Sequence, residues 1–261
     1  MNRNRWAGVA LAALTVFGAC AVSAAELKVG VSAGPYGDVL KFAGDIAAKE
    51  GIQVKVIEFT DYTLPNAALA QKDIDLNHFQ HKPYLANQVA QRGWDLVPLQ
   101  PSIIVPLAAY SKKVKSLADI PAGGAVSIPN DPSNGARALQ LLEKGGLIKL
   151  RDGAGVKATV LDVVDNPKKI KFKEIDAAQL PRSLDDVDVA VCTLNYAVSA
   201  GLNPKTSVLS EGADTDWGLW FVSRSDNKDD PAVKRYIEIY RSAPVKEFIE
   251  TKFQGTIIPA W

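Results

Sequence analysis

Apolar and polar residues alternate along Glu26-Leu-Lys-Val-Gly-Val-Ser32 and again along Ile52-Gln-Val-Lys-Val-Ile-Glu-Phe59, which predicts two strands. Between them a Gly-Pro turn leads into a helix over residues 36–49, ended by Gly51. The pattern then predicts a short helix over 65–71, a strand at 74–76, a helix over 82–92 and strands at 94–99 and 103–110. A second series of the same kind begins at Ala125 and continues through the apolar run Val187-Asp-Val-Ala-Val-Cys192 and a helix over 194–201. The chain then returns through the strand Trp217-Gly-Leu-Trp-Phe-Val-Ser223 and helices over 230–242 and 244–253. Pro231 and Pro244 fit because each falls in a first turn, where the missing N–H costs nothing. Strands alternating with helices predict an α/β fold with a mainly parallel sheet and ligand chemistry at the carboxyl ends of the strands.

The Lys-rich stretch, Ser116-Leu-Ala-Asp-Ile-Pro121 and Gly123-Gly124 mark residues 111–124 as a crossing between two lobes. Residues 210–216 form the expected return crossing. Lobe 1 is then 25–110 with 217–261, and lobe 2 is 125–209. Two lobes joined by two crossings place a cleft between them, where small ligands are commonly held.

The segment Ala125-Val-Ser-Ile-Pro-Asn-Asp-Pro-Ser-Asn-Gly-Ala-Arg-Ala-Leu139 reads as a buried strand, a polar turn and a helix carrying Arg137 in its first turn. Ser133 or Asn134 is the expected cap. A helix N-terminus favours anions, and a guanidinium beside it makes a fork shaped for a carboxylate. The alternative is that Arg137 pairs with an acidic side chain on the surface.

Bulk composition narrows the function. Thirty basic and 29 acidic residues leave a net charge of +1, so there is no electrostatic footprint for nucleic acid or an anionic membrane. The 261 residues suffice for a proper core. Residues 1–24 read as an export signal: Arg3 and Arg5, an apolar stretch from Trp6 to Phe17 too short to span a bilayer, then small residues. Cleavage after Val22-Ser23-Ala24 would release a soluble chain. Phe17-Gly-Ala-Cys20 resembles a lipobox with an unusual first residue, and would leave a lipidated Cys20. Either outcome leaves Cys192 alone, without a disulfide, and its apolar surroundings predict a buried strand residue instead of a nucleophile. His78 and His81, three apart, lack a third metal ligand; His78 reads as scaffolding. No G-x-S-x-G, P-loop or dinucleotide fingerprint is present, so an enzyme on a two-lobed scaffold is the weaker class, and no cofactor is expected.

Several segments together resemble the methionine-binding lipoprotein family of bacterial ABC importers, the NlpA/MetQ type. They are Asp61-Tyr-Thr-Leu-Pro-Asn-Ala-Ala-Leu69, Ile74-Asp-Leu-Asn-His-Phe-Gln-His-Lys-Pro-Tyr-Leu85, the run from Ile128 to Leu139, Ala178-Gln-Leu-Pro-Arg182, Leu194-Asn-Tyr-Ala197 and Phe253-Gln-Gly-Thr-Ile-Ile-Pro-Ala-Trp261. The resemblance implies a type II periplasmic binding protein that closes on an amino acid, methionine or a close derivative. It also implies a monomer that delivers to an inner-membrane ABC permease and its ATPase, touching the membrane only through a lipid anchor at Cys20. It puts the ligand carboxylate on Arg137 with Asn134, the ligand's backbone end at Asn195, and Tyr62, Phe79, His81 and Tyr84 around the thioether. A polarizable sulfur suits aromatic faces and edges.

Two positions depart from the family pattern. Thr193-Leu194-Asn195 stands where an Asn-Gly-Asn type segment is common, and Leu219 where an asparagine is expected. A ligand ammonium or carboxylate contact is then missing or supplied by Asp214 or Asp216. A derivative with an altered amino group, another amino acid or a small apolar carboxylate therefore competes with L-methionine as the expected ligand.

Overall fold

The computed structural model describes residues 25–213 and 217–261; the export segment with Cys20, and Asp214 and Asp216, lie outside the described residues. The chain runs β1 (Ala25–Ser32), α1 (Tyr36–Ala48), β2 (Ile52–Phe59), α2 (Leu64–Ala70), β3 (Leu76–His81), α3 (Lys82–Arg92), β4 (Leu96–Pro101) and β5 (Ile103–Ile104). It continues through β6 (Ala108–Tyr110), β7 (Ala125–Pro129), α4 (Pro132–Lys144), β8 (Lys149–Leu150), β9 (Val163–Asp165), β10 (Lys171–Ile175), β11 (Val189–Cys192), α5 (Leu194–Ser199) and β12 (Leu209–Ser210). It closes with β13 (Leu219–Arg224), α6 (Pro231–Tyr240), α7 (Ala243–Phe253) and β14 (Ile258–Pro259).

Two five-stranded sheets result, β2-β1-β3-β13-β4 and β10-β7-β11-β6-β12. In each, the first three strands pair in parallel and the remaining pairings are antiparallel. Parallel strands are stable only with both faces covered. The α1 helix buries Tyr36, Val39, Leu40, Ala43 and Ala47, a stripe at three- and four-residue spacing, against Val29 and Val31 of β1. Burying one such leucine contributes about 2 kcal/mol. The α6 and α7 helices join the same face, while α2 and α3 bring Leu69 and Leu85 to the other. In the second sheet α4 packs on Val126, Ile128, Val189 and Val191. Cys192 lies fully buried on the opposite face, its thiol pushed up to about 12 by burial, so it is a packing residue.

The strand expected at 74–76 instead occupies Leu76–His81, with every residue buried. Its polar side chains hide the strand from any apolar pattern, yet Asn77 and Gln80 are satisfied together with Asn66 of α2. Asn66 Nδ2 donates to Gln80 Oε1 (2.8 Å), Asn77 Nδ2 to Asn66 Oδ1 (2.8 Å) and Gln80 Nε2 to Asn77 Oδ1 (3.0 Å). A buried polar network is stable when its members are paired in this way.

The first crossing also falls elsewhere. β5 pairs with β14, and β6 pairs with β11 and β12, so the chain passes to the second half at residues 105–107, not 111–124. Residues 111–124 carry linker-like composition but only connect β6 to β7 within the second half. A three-residue strand offers too little alternation to be told from the preceding apolar run. The return crossing occupies residues 211–218, between β12 and β13.

Candidate functional site

Residues that follow the carboxyl ends of five parallel strands converge on one cavity between the two sheets. Tyr36 follows β1, Tyr62 follows β2, Phe79 and His81 end β3, Asn134 and Arg137 follow β7, and Thr193 and Leu194 follow β11. Gln80, Tyr84, Val105 and Leu219 complete the wall. Six of the seven residues expected to bind ligand therefore share one surface.

Asn195 does not line the cavity. It is fully buried behind Tyr62, whose hydroxyl donates to Asn195 Oδ1 (2.5 Å) and lies 2.9 Å from Thr193 Oγ1. Gly34, at φ +132°, lets the loop after β1 press on this residue, since a Cβ there would stand 3.1 Å from that of Asn195.

The local structure of α4 corrects the expectation for Arg137. Asp131, not Ser133 or Asn134, caps the helix: its Oδ1 accepts from Asn134 N and from Ser133 Oγ, both at 2.9 Å. Pro132 opens the helix, so Arg137 sits in its second turn. Arg137 does pair with an acid, but in the interior. Its Nε donates to Glu211 Oε1 (2.8 Å) and Nη2 donates to Glu211 Oε2 (2.5 Å), with side-chain exposures of 3% and 11%. Arg137 Nη2 also donates to Val105 O (2.9 Å), and Leu107 N donates to Glu211 Oε2 (2.8 Å). One residue of α4 is thereby bound to both crossings. Trp217 of the return crossing lies with its ring 5.6 Å from the Arg137 guanidinium carbon and 4.8 Å, edge-on, from His81. Sequence reasoning missed Glu211 and Trp217, because nothing local marks a partner 74 residues away.

The aromatic side chains form a single cluster. Tyr62 lies 5.9 Å from Phe79 and 6.0 Å, edge-on, from Tyr84, and Phe79 meets Tyr84 at 5.7 Å. Tyr84 OH donates to Tyr62 O (2.9 Å). Burial raises the hydroxyl pKa of Tyr36, Tyr62 and Tyr84, so all three stay neutral. His81 caps α3 by accepting from Tyr84 N at Nδ1 (3.2 Å), which leaves the proton on Nε2, 3.1 Å from Asn134 Oδ1. Burial, and then the nearby Arg137 charge, push this imidazole down to about 3, so it is neutral. His78 is scaffolding: its ring packs on Phe221 and Tyr240, with Nε2 2.7 Å from Ser102 Oγ.

Contacts from one sheet to the other close the cleft. Besides Tyr62–Asn195 and His81–Asn134, Tyr196 OH donates to Thr60 O (3.1 Å). The space left between these side chains is about 20 Å³, room for about one water molecule. Among the described residues no group of three or more His, Cys, Asp or Glu converges as a metal site.

Residues 27–261 match the NlpA lipoprotein family. The chain is 46% identical over 240 residues to the D-methionine-binding lipoprotein MetQ of Escherichia coli O157:H7, covering 90% of this chain and 89% of that one. It is 45% identical over 245 residues to outer membrane lipoprotein 3 of Mannheimia haemolytica, covering 93% of each. A nutrient binding protein from Burkholderia cenocepacia, solved bound to methionine, superposes with a TM-score of 0.87 at 48% identity, covering 90% of this chain and 100% of that one.

Proposed function

The chain belongs to the NlpA lipoprotein family, and from that premise we propose that it is the periplasmic solute-binding component of an ABC importer, with methionine or a close derivative as its ligand. The observation that carries this reading is an aromatic cavity built on Arg137 between two α/β halves. Arg137 and Asn134 take the carboxylate end of the ligand, and Tyr62, Phe79, His81 and Tyr84 take its side chain. Asn195 acts through Tyr62, whose hydroxyl it holds. The chain hands its ligand to a membrane permease driven by an ATPase, and residues 1–24 direct its export.

Native mass spectrometry of the purified protein is expected to reveal a retained increment of amino-acid mass. A thermal-shift series should then give the largest stabilisation with methionine or its D-form or N-substituted relatives. Selective stabilisation by lysine, arginine or glutamate would remove the aromatic pocket from the site, because a charge buried unpaired against rings is strongly disfavoured.

The two halves, hinged at residues 105–107 and in the connection from β12 to β13, act as lobes that close on the ligand. A few loop residues can absorb such a rotation. Small-angle scattering at saturating methionine is expected to give a smaller radius of gyration than the ligand-free protein. An identical profile in both conditions would refute closure.

A further inference from the structure

The charge around the cavity is balanced by a residue outside its wall. Arg137 is the one charged side chain among the described residues lining the cavity. Its guanidinium is matched by Glu211 through two hydrogen bonds in the interior. Glu211 cannot easily swing away, because Leu107 N in the first crossing holds the same carboxylate. His81 adds no charge, since its Nδ1 accepts a backbone hydrogen bond and its remaining proton faces Asn134. Arg137, Glu211 and His81 together sum to zero, while the Asp131 carboxylate behind Asn134 is held in the cap of α4 and adds a negative charge that disfavours a further anion.

We propose that Glu211 is a specificity-determining residue: by neutralising Arg137 it makes the site select a ligand without net charge, a zwitterionic amino acid, over its anionic or cationic relatives. This rests on the reading of the cavity as an amino-acid site. A zwitterion brings its own balance into a desolvated space. An anion lacking the amino charge would stand beside Arg137 with Glu211 already there, and its extra charge would remain uncompensated. Glu211 also takes the Nε–Nη2 edge of the guanidinium, so it positions Arg137 for a ligand that adds to the pair instead of replacing it.

The test is calorimetry of the wild-type protein and of Glu211→Gln with three compounds of similar shape: L-methionine, 4-(methylthio)butanoate and L-methioninamide. Wild type is expected to bind methionine at least about tenfold more tightly than either relative, which is about 1.4 kcal/mol of discrimination. In Glu211→Gln the ratio of anion to methionine affinity should rise by about tenfold or more, and Glu211→Asp should restore much of the wild-type ratio. A melting curve for each variant reports folding, an outcome a purely structural role of Glu211 would move without changing the ratio. If Glu211→Gln does not fold, the wild-type series decides alone, and tighter binding of the anion overturns the proposal. Methionine binding with an unchanged ratio in Glu211→Gln refutes Glu211 alone, whereas failure of all three compounds on wild type refutes the amino-acid reading beneath it.

Discussion

Arg137→Ala is expected to lower ligand affinity by at least about tenfold and to destabilise the protein by about 3–5 kcal/mol. The affinity loss follows from removing a charge-assisted partner of a buried carboxylate, which costs on the order of 2–5 kcal/mol. The stability loss has a separate origin. Glu211 would keep only its bond from Leu107 N, and Val105 O would lose its donor, so a nearly buried carboxylate would stand without a counter-charge. Breaking a buried pair from one side is costly for that reason. Arg137→Lys should recover little, because a single ammonium cannot reproduce the two-point Nε and Nη2 geometry on Glu211 while also reaching Val105 O. Calorimetric titration reads the first effect and urea unfolding the second. An affinity equal to wild type would take Arg137 out of the site, and an unchanged urea midpoint would mean that the Glu211 pair contributes nothing to folding.

The second large effect is a fall in stability as the medium becomes mildly acidic. His78 and His81 are both held neutral in the folded protein, each pushed down to about 3, chiefly by burial and for His81 also by Arg137. In the unfolded chain they take up protons near the ordinary histidine value of about 6.5. The stability they contribute is complete above that unfolded value and is lost as pH falls toward the folded one. Each histidine then removes about 1.4 kcal/mol per pH unit, so two together remove up to roughly 4 kcal/mol by pH 5. Urea midpoints taken from pH 7.5 to 5 should fall steadily, and His78→Asn should halve the slope. A midpoint independent of pH across that interval would show that the imidazoles are protonated in place.

The elements legible from the chain are those whose stabilising contacts follow sequence period. The alternation in β1 and β2 and the stripe on α1 anticipate which side each element buries, because strand and helix geometry turn residue spacing into a face. The aromatic half of the site followed from the resemblance of Asp61–Leu69 and Ile74–Leu85 to segments of the NlpA/MetQ type, since by residue type alone Tyr62, Phe79 and Tyr84 suit a core equally well. The remainder of β3 was not legible, since its interior polar residues depend on partners from other elements, Asn66 for Asn77 and Gln80 and Ser102 for His78. Nor was the cap of α4. Asp131, Ser133 and Asn134 all suit an N-terminus by type, and the choice depends on backbone geometry at Pro132.

By itself, then, the sequence determined the α/β alternation and the two series of strands and helices, while the six residues that meet on one cavity were implied by the resemblance of its segments to the NlpA/MetQ type. Local spacing suffices for the elements, because it acts within one element or one turn. Only the tertiary structure decided that the first crossing lies at residues 105–107, that Asn195 stands behind Tyr62, and that Arg137 is bound by Glu211 in the interior. Each of those depends on groups far apart in the chain that come within hydrogen-bond range only after both sheets have formed. Pairing of that kind is governed by distance in space, on which residue spacing along the chain carries no information.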